Sequence, residues 1–135
     1  MENPINVIKK IKTKMSEVII ENDLKYLDFD IDDLFSVYSA DFCNILLDYY
    51  PGATIMMHKN FKSCAVLIQG VVYTAKGISD PRYYFAAGSE EINFIQKSFR
   101  QLSDDIILLL KDKIKADNNN YNSMYILRKN KDNLV

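Results

Sequence analysis

The chain has little of what most catalytic and metal-binding sites require. It contains one histidine, two cysteines, four scattered glycines and no tryptophan. His58, Cys43 and Cys64 cannot complete a four-ligand zinc site without carboxylates, and they show no Cys-x-x-Cys spacing. No glycine-rich turn opens a helix, so the signature of a phosphate-binding loop is missing. We therefore expect no metal site and no cofactor.

Long apolar runs and a signal-like N-terminus are also missing. No apolar run approaches the roughly 20 residues needed to cross a bilayer. Two cysteines in 135 residues do not make a disulfide framework, and the early part of the chain is rich in lysine. These features predict a cytoplasmic protein with no membrane partner. The length and the 48% hydrophobic content fit a single domain over residues 1–135.

Positive charge is absent from a long stretch in the first half of the chain. Between Tyr26 and His58 there is no lysine or arginine, and six aspartates give this block a net charge of −6, whereas the whole chain has −1. Residues 59–87 have a net charge of +3. Such segregation can steer a basic partner, although a solvated helix surface has the same composition. The predicted partner-binding residues are Asp28, Asp30, Asp32, Asp33, Asp41 and Asp48.

The first three of these aspartates alternate as they do at the start of a calcium loop. A helix-loop-helix calcium site needs glycine at its sixth position and a bidentate glutamate at its twelfth. Those positions hold Asp33 and Ser39 in this chain. We therefore interpret Asp30 and Asp33 as helix-capping residues and the other carboxylates as surface charge.

The spacing of apolar residues predicts three helices. Asn3 can cap a first helix that begins at Pro4 and ends near Glu21, so residues 1–22 are an N-terminal amphipathic helix. A second helix, over residues 32–49, is apolar on more than one face and should be central.

Ser89 is predicted to cap the third helix, which continues without a break to about Lys115 despite Ser103 in its middle. Its apolar residues follow a regular four/three alternation. This seam could lie on the sheet or could form a homodimer contact through residues 90–115.

Strand patterns fill the middle of the chain. Gly70 can supply the positive φ of a tight hairpin, and a polar tail, partly ordered, is predicted over residues 117–135. The fold class is α+β, with a three- to four-stranded antiparallel sheet packed against two or three helices. The predicted strands are residues 53–58, 63–69 and 71–75, with 83–86 as a fourth strand and 27–31 as a short strand-like segment.

A helix that carries Cys43 and a following hairpin over residues 63–74 resemble the core of papain-like and transglutaminase-like hydrolases. Those folds place a nucleophilic cysteine at a helix start, a histidine at the opening of the next strand and an aspartate beyond a hairpin. The resemblance implies that Cys43 is the nucleophile. Ser63 stands where the histidine is expected, and Thr74 where the aspartate is expected. Only His58 could act as the base, so we predict a structural Cys43 and no enzyme activity.

Basic and aromatic side chains collect around the predicted hairpins. Aromatic rings beside cations can stack on a base and hold its phosphate. An acidic pI of 5.8 and a count of only three arginines argue against duplex DNA or RNA as the ligand. The alternative ligand-binding residues are Lys59, Phe61, Lys62, Lys76, Arg82, Tyr83 and Tyr84.

Three functional hypotheses follow. The leading one is a small non-catalytic protein, encoded by a phage or mobile element, that inhibits a host defence protein with a basic surface through the acidic block. The second is a protein that sequesters a nucleotide-like small molecule with the basic and aromatic cluster. The third is a degenerate or active papain-like cysteine hydrolase.

Overall fold

A computed structural model describes residues 2–22 and 31–116, with residues 31 and 32 given by their backbone alone. The predicted segment 27–31 and tail 117–135 therefore lie outside the described residues, apart from residue 31. The helices are α1 (Pro4–Glu21), α2 (Ile31–Val37), α3 (Ser39–Tyr49), α4 (Ser89–Ser98) and α5 (104–116). The strands are β1 (Thr54–His58), β2 (Cys64–Ile68), β3 (Val71–Thr74), β4 (Gly77–Ser79) and β5 (Tyr84–Ala86).

The predicted start of α1 is confirmed. The Asn3 side chain accepts a hydrogen bond of 2.9 Å from the Ile5 N–H, and Pro4 occupies the first helical position, where its missing N–H costs nothing. The apolar stripe of α1 is buried against α3. No helix in residues 2–22 and 31–116 is both long and apolar enough to cross a membrane.

The single helix predicted over residues 32–49 is in fact two helices. Tyr38 leaves the helical conformation between them, with φ −102° and ψ 34°. Because the sequence is apolar on two faces, the break lets each short helix bury its own face. Phe35 is buried in α2, whereas Phe42 and Leu46 are buried in α3, which packs on β2. The break also makes Ser39 the first residue of α3.

The α+β class is confirmed, and the antiparallel sheet has five strands rather than three or four, in the order β4-β3-β2-β1-β5. All three predicted core strands form, and β5 corresponds to the predicted fourth strand. The tight turn between β2 and β3 has positive φ at Gln69 (48°) and at Gly70 (79°), which confirms the expectation for Gly70. The strand that the sequence did not predict is β4, since its three residues follow a turn that looks like the exit from the sheet.

The continuous helix predicted from Ser89 to Lys115 is wrong. Helix α4 ends at Ser98, and α5 begins at residue 104. Phe99 is extended (φ −82°, ψ 141°), and the Leu102 N–H donates to the Asp41 carboxylate at 2.8 Å instead of to a helical carbonyl. The apolar seam that was expected either to lie on the sheet or to form a homodimer contact is therefore interrupted in its middle.

The first cap of this region also differs from the prediction. Gly88, not Ser89, is the N-cap of α4, and its N–H donates to the Glu91 side chain at 3.4 Å. At the start of α5, the Ser103 hydroxyl accepts from the Ile106 N–H at 3.4 Å. Ser103 therefore caps a new helix instead of lying inside a continuous one.

Candidate functional site

A polar cleft of about 480 Å³ opens between the helices and one end of the sheet. Helix α1 supplies one wall, α2 and α3 supply the floor, and the ends of β2, β3, β4 and β5 supply the opposite wall. Its lining residues are Lys12, Phe35, Ser36, Ser39, Phe42, Ser63, Cys64, Thr74, Ala75, Lys76, Ser79 and Tyr84. Six of them carry a hydroxyl group, two are lysines, and none is an aspartate or a glutamate.

The hydroxyl groups of the sheet wall form a network. Thr74 Oγ1 lies 3.1 Å from Ser79 Oγ and also accepts the Lys76 backbone N–H at 3.2 Å. Burial raises the pKa of Tyr84, while hydrogen bonds with Ser63 and Ser79 oppose that effect. The net shift is upward, so the Tyr84 phenol keeps its proton at neutral pH. The wall therefore offers O–H donors that can reorient toward a ligand.

Within the described residues, the two lysines of the cleft have no carboxylate partner. No ion pair involves Lys12 or Lys76 within the described part of the chain. The Lys12 ammonium lies 5.4 Å from the centre of the Phe35 ring, which holds it at the mouth of the cleft by a cation–π contact. Lys76 is exposed in the turn between β3 and β4. Among the described lining residues, the charged side chains are therefore both cations.

Two buried residues that line the cleft, Ser39 and Cys64, are linked by hydrogen bonds to a second cysteine, Cys43. The Cys64 thiol donates to Ser39 Oγ at 3.7 Å, and the Cys43 thiol hydrogen-bonds to Cys64 from behind. This hydrogen bond and complete burial raise the pKa of Cys43 well above its usual value. The same hydrogen bond lowers the pKa of Cys64, against the effect of burial. Cys43 is an inert buried thiol that does not line the cleft.

The positions singled out by the hydrolase resemblance converge on this cleft without catalytic groups. Ser63 and Thr74 line it together with Ser39, which lies one helical turn before Cys43. His58 does not line it: its ring stacks on Tyr83 with centroids 6.0 Å apart, and its Nδ1 accepts the Asn60 N–H at 3.0 Å. No base is in place, among the described residues, to deprotonate Ser39 or Cys64.

The predicted basic and aromatic cluster is divided by the structure. Lys76 and Tyr84 line the cleft, whereas Phe61 and Lys62 line a separate groove. Arg82 is not free to grip a phosphate, because it forms a bidentate pair with Asp80.

The remaining members of that cluster lie near the β1 end without joining the cleft. The Tyr83 ring is exposed and stacks on His58. Lys59 donates its backbone N–H to the Tyr83 carbonyl at 2.8 Å, and its side chain is exposed. The hydrogen bonds from Arg82 lower the pKa of Asp80 to about 2, so the pair is charged at neutral pH.

The predicted acidic surface loses one of its six carboxylates. Asp41 is only 4% exposed, and burial raises its pKa to about 6 even though the Leu102 N–H opposes this shift. The charge pattern of the sequence placed Asp41 on the surface. In the structure its carboxylate accepts a hydrogen bond from Leu102 and so connects α3 to the segment before α5. Asp48 pairs with Lys111 at 3.2 Å, and Asp33 is exposed.

The other three carboxylates of the acidic block are not tested. Asp28 and Asp30 lie outside the described residues, and so does the side chain of Asp32. The partner-binding surface stays a prediction for them. Within residues 2–22 and 31–116, no three histidine, cysteine, aspartate or glutamate side chains gather into a group that could hold a metal ion.

Sequence reasoning missed the cleft residues of the helices. Lys12 looks like one of several solvated lysines of α1, and Ser39 looks like a mid-helix residue because the pattern does not reveal the break at Tyr38. Two signals in the sequence pointed to this place: the positions of Ser63 and Thr74 in the hydrolase resemblance, and Lys76 and Tyr84 in the predicted basic and aromatic cluster. Comparisons of the chain with protein-family models, with curated proteins and with solved structures find no match. Function is therefore inferred from the residues of the cleft.

Proposed function

We propose that this protein is a non-catalytic binding protein that holds a small anionic, nucleotide-like molecule in the cleft. One observation carries the proposal: Lys12 and Lys76, neither paired with a carboxylate in the described chain, line a cleft together with six hydroxyl-bearing residues. Two cations without counterions favour an anion by direct Coulomb attraction. The volume of about 480 Å³ lies within the roughly 300–1,000 Å³ of small-molecule sites.

The chemistry of the lining supports a ligand with phosphate and hydroxyl groups. A lysine ammonium binds phosphate as a point charge, and serine and threonine hydroxyls add hydrogen bonds to its oxygens or to a sugar. Phe35 and Tyr84 give the cleft apolar surface against which a base could lie. This combination favours a nucleotide over a simple inorganic anion.

Binding without turnover is proposed because a nucleophile and a base do not meet in the cleft. Ser39 and Cys64 are the candidate nucleophiles of its lining, and neither hydrogen-bonds to an imidazole or a carboxylate in the described chain. The Asp41 carboxylate acts on Cys64 through its charge, which opposes ionisation of the thiol by raising its pKa. Two free thiols in contact, Cys43 and Cys64, fit the reducing conditions of a cytoplasm. The protein would sequester its ligand and release it unchanged.

Isothermal titration with a panel of linear and cyclic nucleotides tests the proposal. We expect one class to give a saturable heat with wild type, and Lys12→Ala and Lys76→Ala each to weaken it by about tenfold. Lys59→Ala is the matched control, since this lysine is exposed nearby but does not line the cleft. The absence of binding by every nucleotide, or equal weakening by the control, would contradict the proposal.

A further inference from the structure

A second concave surface lies between α2, the β1–β2 turn and the end of α4. It encloses about 420 Å³ and is open to solvent. Its lining residues are Ser36, Val37, Phe61, Lys62, Phe94, Ser98, Phe99 and Arg100. We call this surface the phenylalanine groove. It lies apart from the cleft, and Ser36 is the one residue that lines both.

Three phenylalanine rings form the apolar part of the groove. Phe61 is 47% exposed and Phe94 is 40% exposed, although both are large and apolar. Their ring centroids are 5.8 Å apart at an interplanar angle of 85°, and those of Phe94 and Phe99 are 6.1 Å apart at 78°. Rings packed edge to face form a concave surface without parallel ring faces. Such a surface accepts one bulky side chain better than a series of stacked bases.

Phe61 is exposed at the cost of an unfavourable backbone conformation. Its φ is 59°, in a region that a residue with a Cβ occupies at a cost of about 1–2 kcal/mol. The turn is nevertheless held by three hydrogen bonds: Phe61 N–H to the His58 carbonyl, Asn60 N–H to His58 Nδ1, and Lys62 N–H to Asn60 Oδ1. Strain retained in a fixed turn that presents an exposed ring is typical of a recognition surface.

The polar rim of the groove is positive. Lys62 and Arg100 are both exposed, and no ion pair involves either of them within residues 2–22 and 31–116. No aspartate or glutamate is among the described residues that line the groove. Arginine can bind a carboxylate through two parallel hydrogen bonds, which makes Arg100 suited to an acidic side chain.

From these observations we infer that the phenylalanine groove binds an acidic peptide segment of a partner protein. A bulky apolar side chain of the segment inserts among Phe61, Phe94 and Phe99. Carboxylates on either side of it pair with Lys62 and Arg100. Protein–protein interfaces commonly combine an apolar anchor at the centre with polar and charged residues around it.

Fluorescence anisotropy tests this inference with a short labelled peptide in which phenylalanine and leucine alternate with aspartate and glutamate. Wild type should bind it saturably. Arg100→Glu should weaken binding by about tenfold, since it replaces an attraction by a repulsion. Lys97→Glu is the matched control, three residues earlier in the last turn of α4 and outside the groove, and should change the affinity by less than about twofold.

Phe61→Gly gives a second test that does not depend on charge. Glycine accepts the positive φ without strain, so the variant should keep its fold by circular dichroism while losing peptide binding. In a second peptide, serine replaces the phenylalanine and leucine residues, so no apolar side chain can insert into the groove. The affinity of this peptide for wild type should be no higher than its affinity for Phe61→Gly. Three outcomes would overturn the inference: no binding by wild type, unchanged affinity in both groove variants, or tighter binding of a thymidine oligonucleotide than of the acidic peptide.

Discussion

The cleft and the phenylalanine groove carry the same positive charge but differ in the balance of hydroxyl groups and apolar rings in their linings. Each has two cations without carboxylate partners in the described chain, Lys12 and Lys76 in the first and Lys62 and Arg100 in the second. The lining of the cleft has six hydroxyl-bearing residues, whereas the lining of the groove has three phenylalanines and two serines. Hydroxyls satisfy the many oxygens of a small polar ligand, while rings bury an apolar side chain. Neighbouring charge therefore says little about the ligand until the uncharged lining is known.

One buried hydrogen bond connects the two regions. Asp41 lies in the first turn of α3, whose first residue, Ser39, lines the cleft. Its carboxylate accepts the N–H of Leu102, which belongs to the same short segment as Phe99 and Arg100 of the groove. Changes at Asp41 should therefore affect both regions, whereas changes in either lining should affect one.

The largest effect we predict is a pH dependence of stability that originates at Asp41. Burial raises the pKa of Asp41 from its ordinary value of 3.8 to about 6, so the folded state binds this proton more tightly than the unfolded state. This difference stabilises the folded state by about 3 kcal/mol below about pH 4. The stabilisation is lost as the pH rises through about 6, where Asp41 loses its proton in the folded state.

Urea unfolding of wild type and Asp41→Asn over this pH window measures the effect. Asparagine keeps an acceptor for the Leu102 N–H and does not titrate, so its free energy of unfolding should change less with pH than that of wild type. Parallel curves for the two proteins would show that Asp41 is not the group responsible.

The second-largest effect is the loss of stability that follows when the hydrogen bond between Leu102 and Asp41 is removed. Asp41→Ala removes the acceptor of the buried Leu102 N–H, and an unsatisfied buried donor costs about 1–3 kcal/mol. We expect this loss relative to Asp41→Asn near pH 5, together with weaker binding in both the cleft and the groove. Equal stability of the alanine and asparagine variants would mean that the bond does not hold the segment in place.

The smallest effect is predicted at Arg82, which belongs to neither region. Its guanidinium is bound to Asp80 on the exposed surface, with Nη2 and Oδ2 2.6 Å apart. Arg82→Ala should leave the urea midpoint, the nucleotide titration and the peptide anisotropy unchanged within error. A loss of nucleotide binding in this variant would move the site from the cleft to the β1 end of the sheet.

Local signals made much of the fold predictable. The Asn3 cap, the three core strands and the positive φ at Gly70 each depend on a few consecutive residues, and the structure confirms them. The two helix breaks depend on tertiary contacts instead. The bond between Asp41 and Leu102 joins residues 61 positions apart, which no periodicity in the sequence can reveal.

The candidate site was less predictable for the same reason. Its lining comes from three helices and four strands, so side chains that are far apart in sequence meet only in the fold. Lys76 and Tyr84 were in the predicted ligand cluster because they lie near each other in the chain. Lys12 was not, since nothing in the pattern of α1 distinguishes it from the neighbouring solvated lysines.

The most direct test of the cleft as a ligand site is an amide chemical-shift titration of the labelled full-length protein with the nucleotide panel. The account predicts saturable shifts at Ser39, Ser63 and Lys76 for at least one nucleotide, and unchanged amides at Phe61 and Phe94 in the groove. Shifts confined to the groove, or none at the cleft amides for any nucleotide, would contradict it.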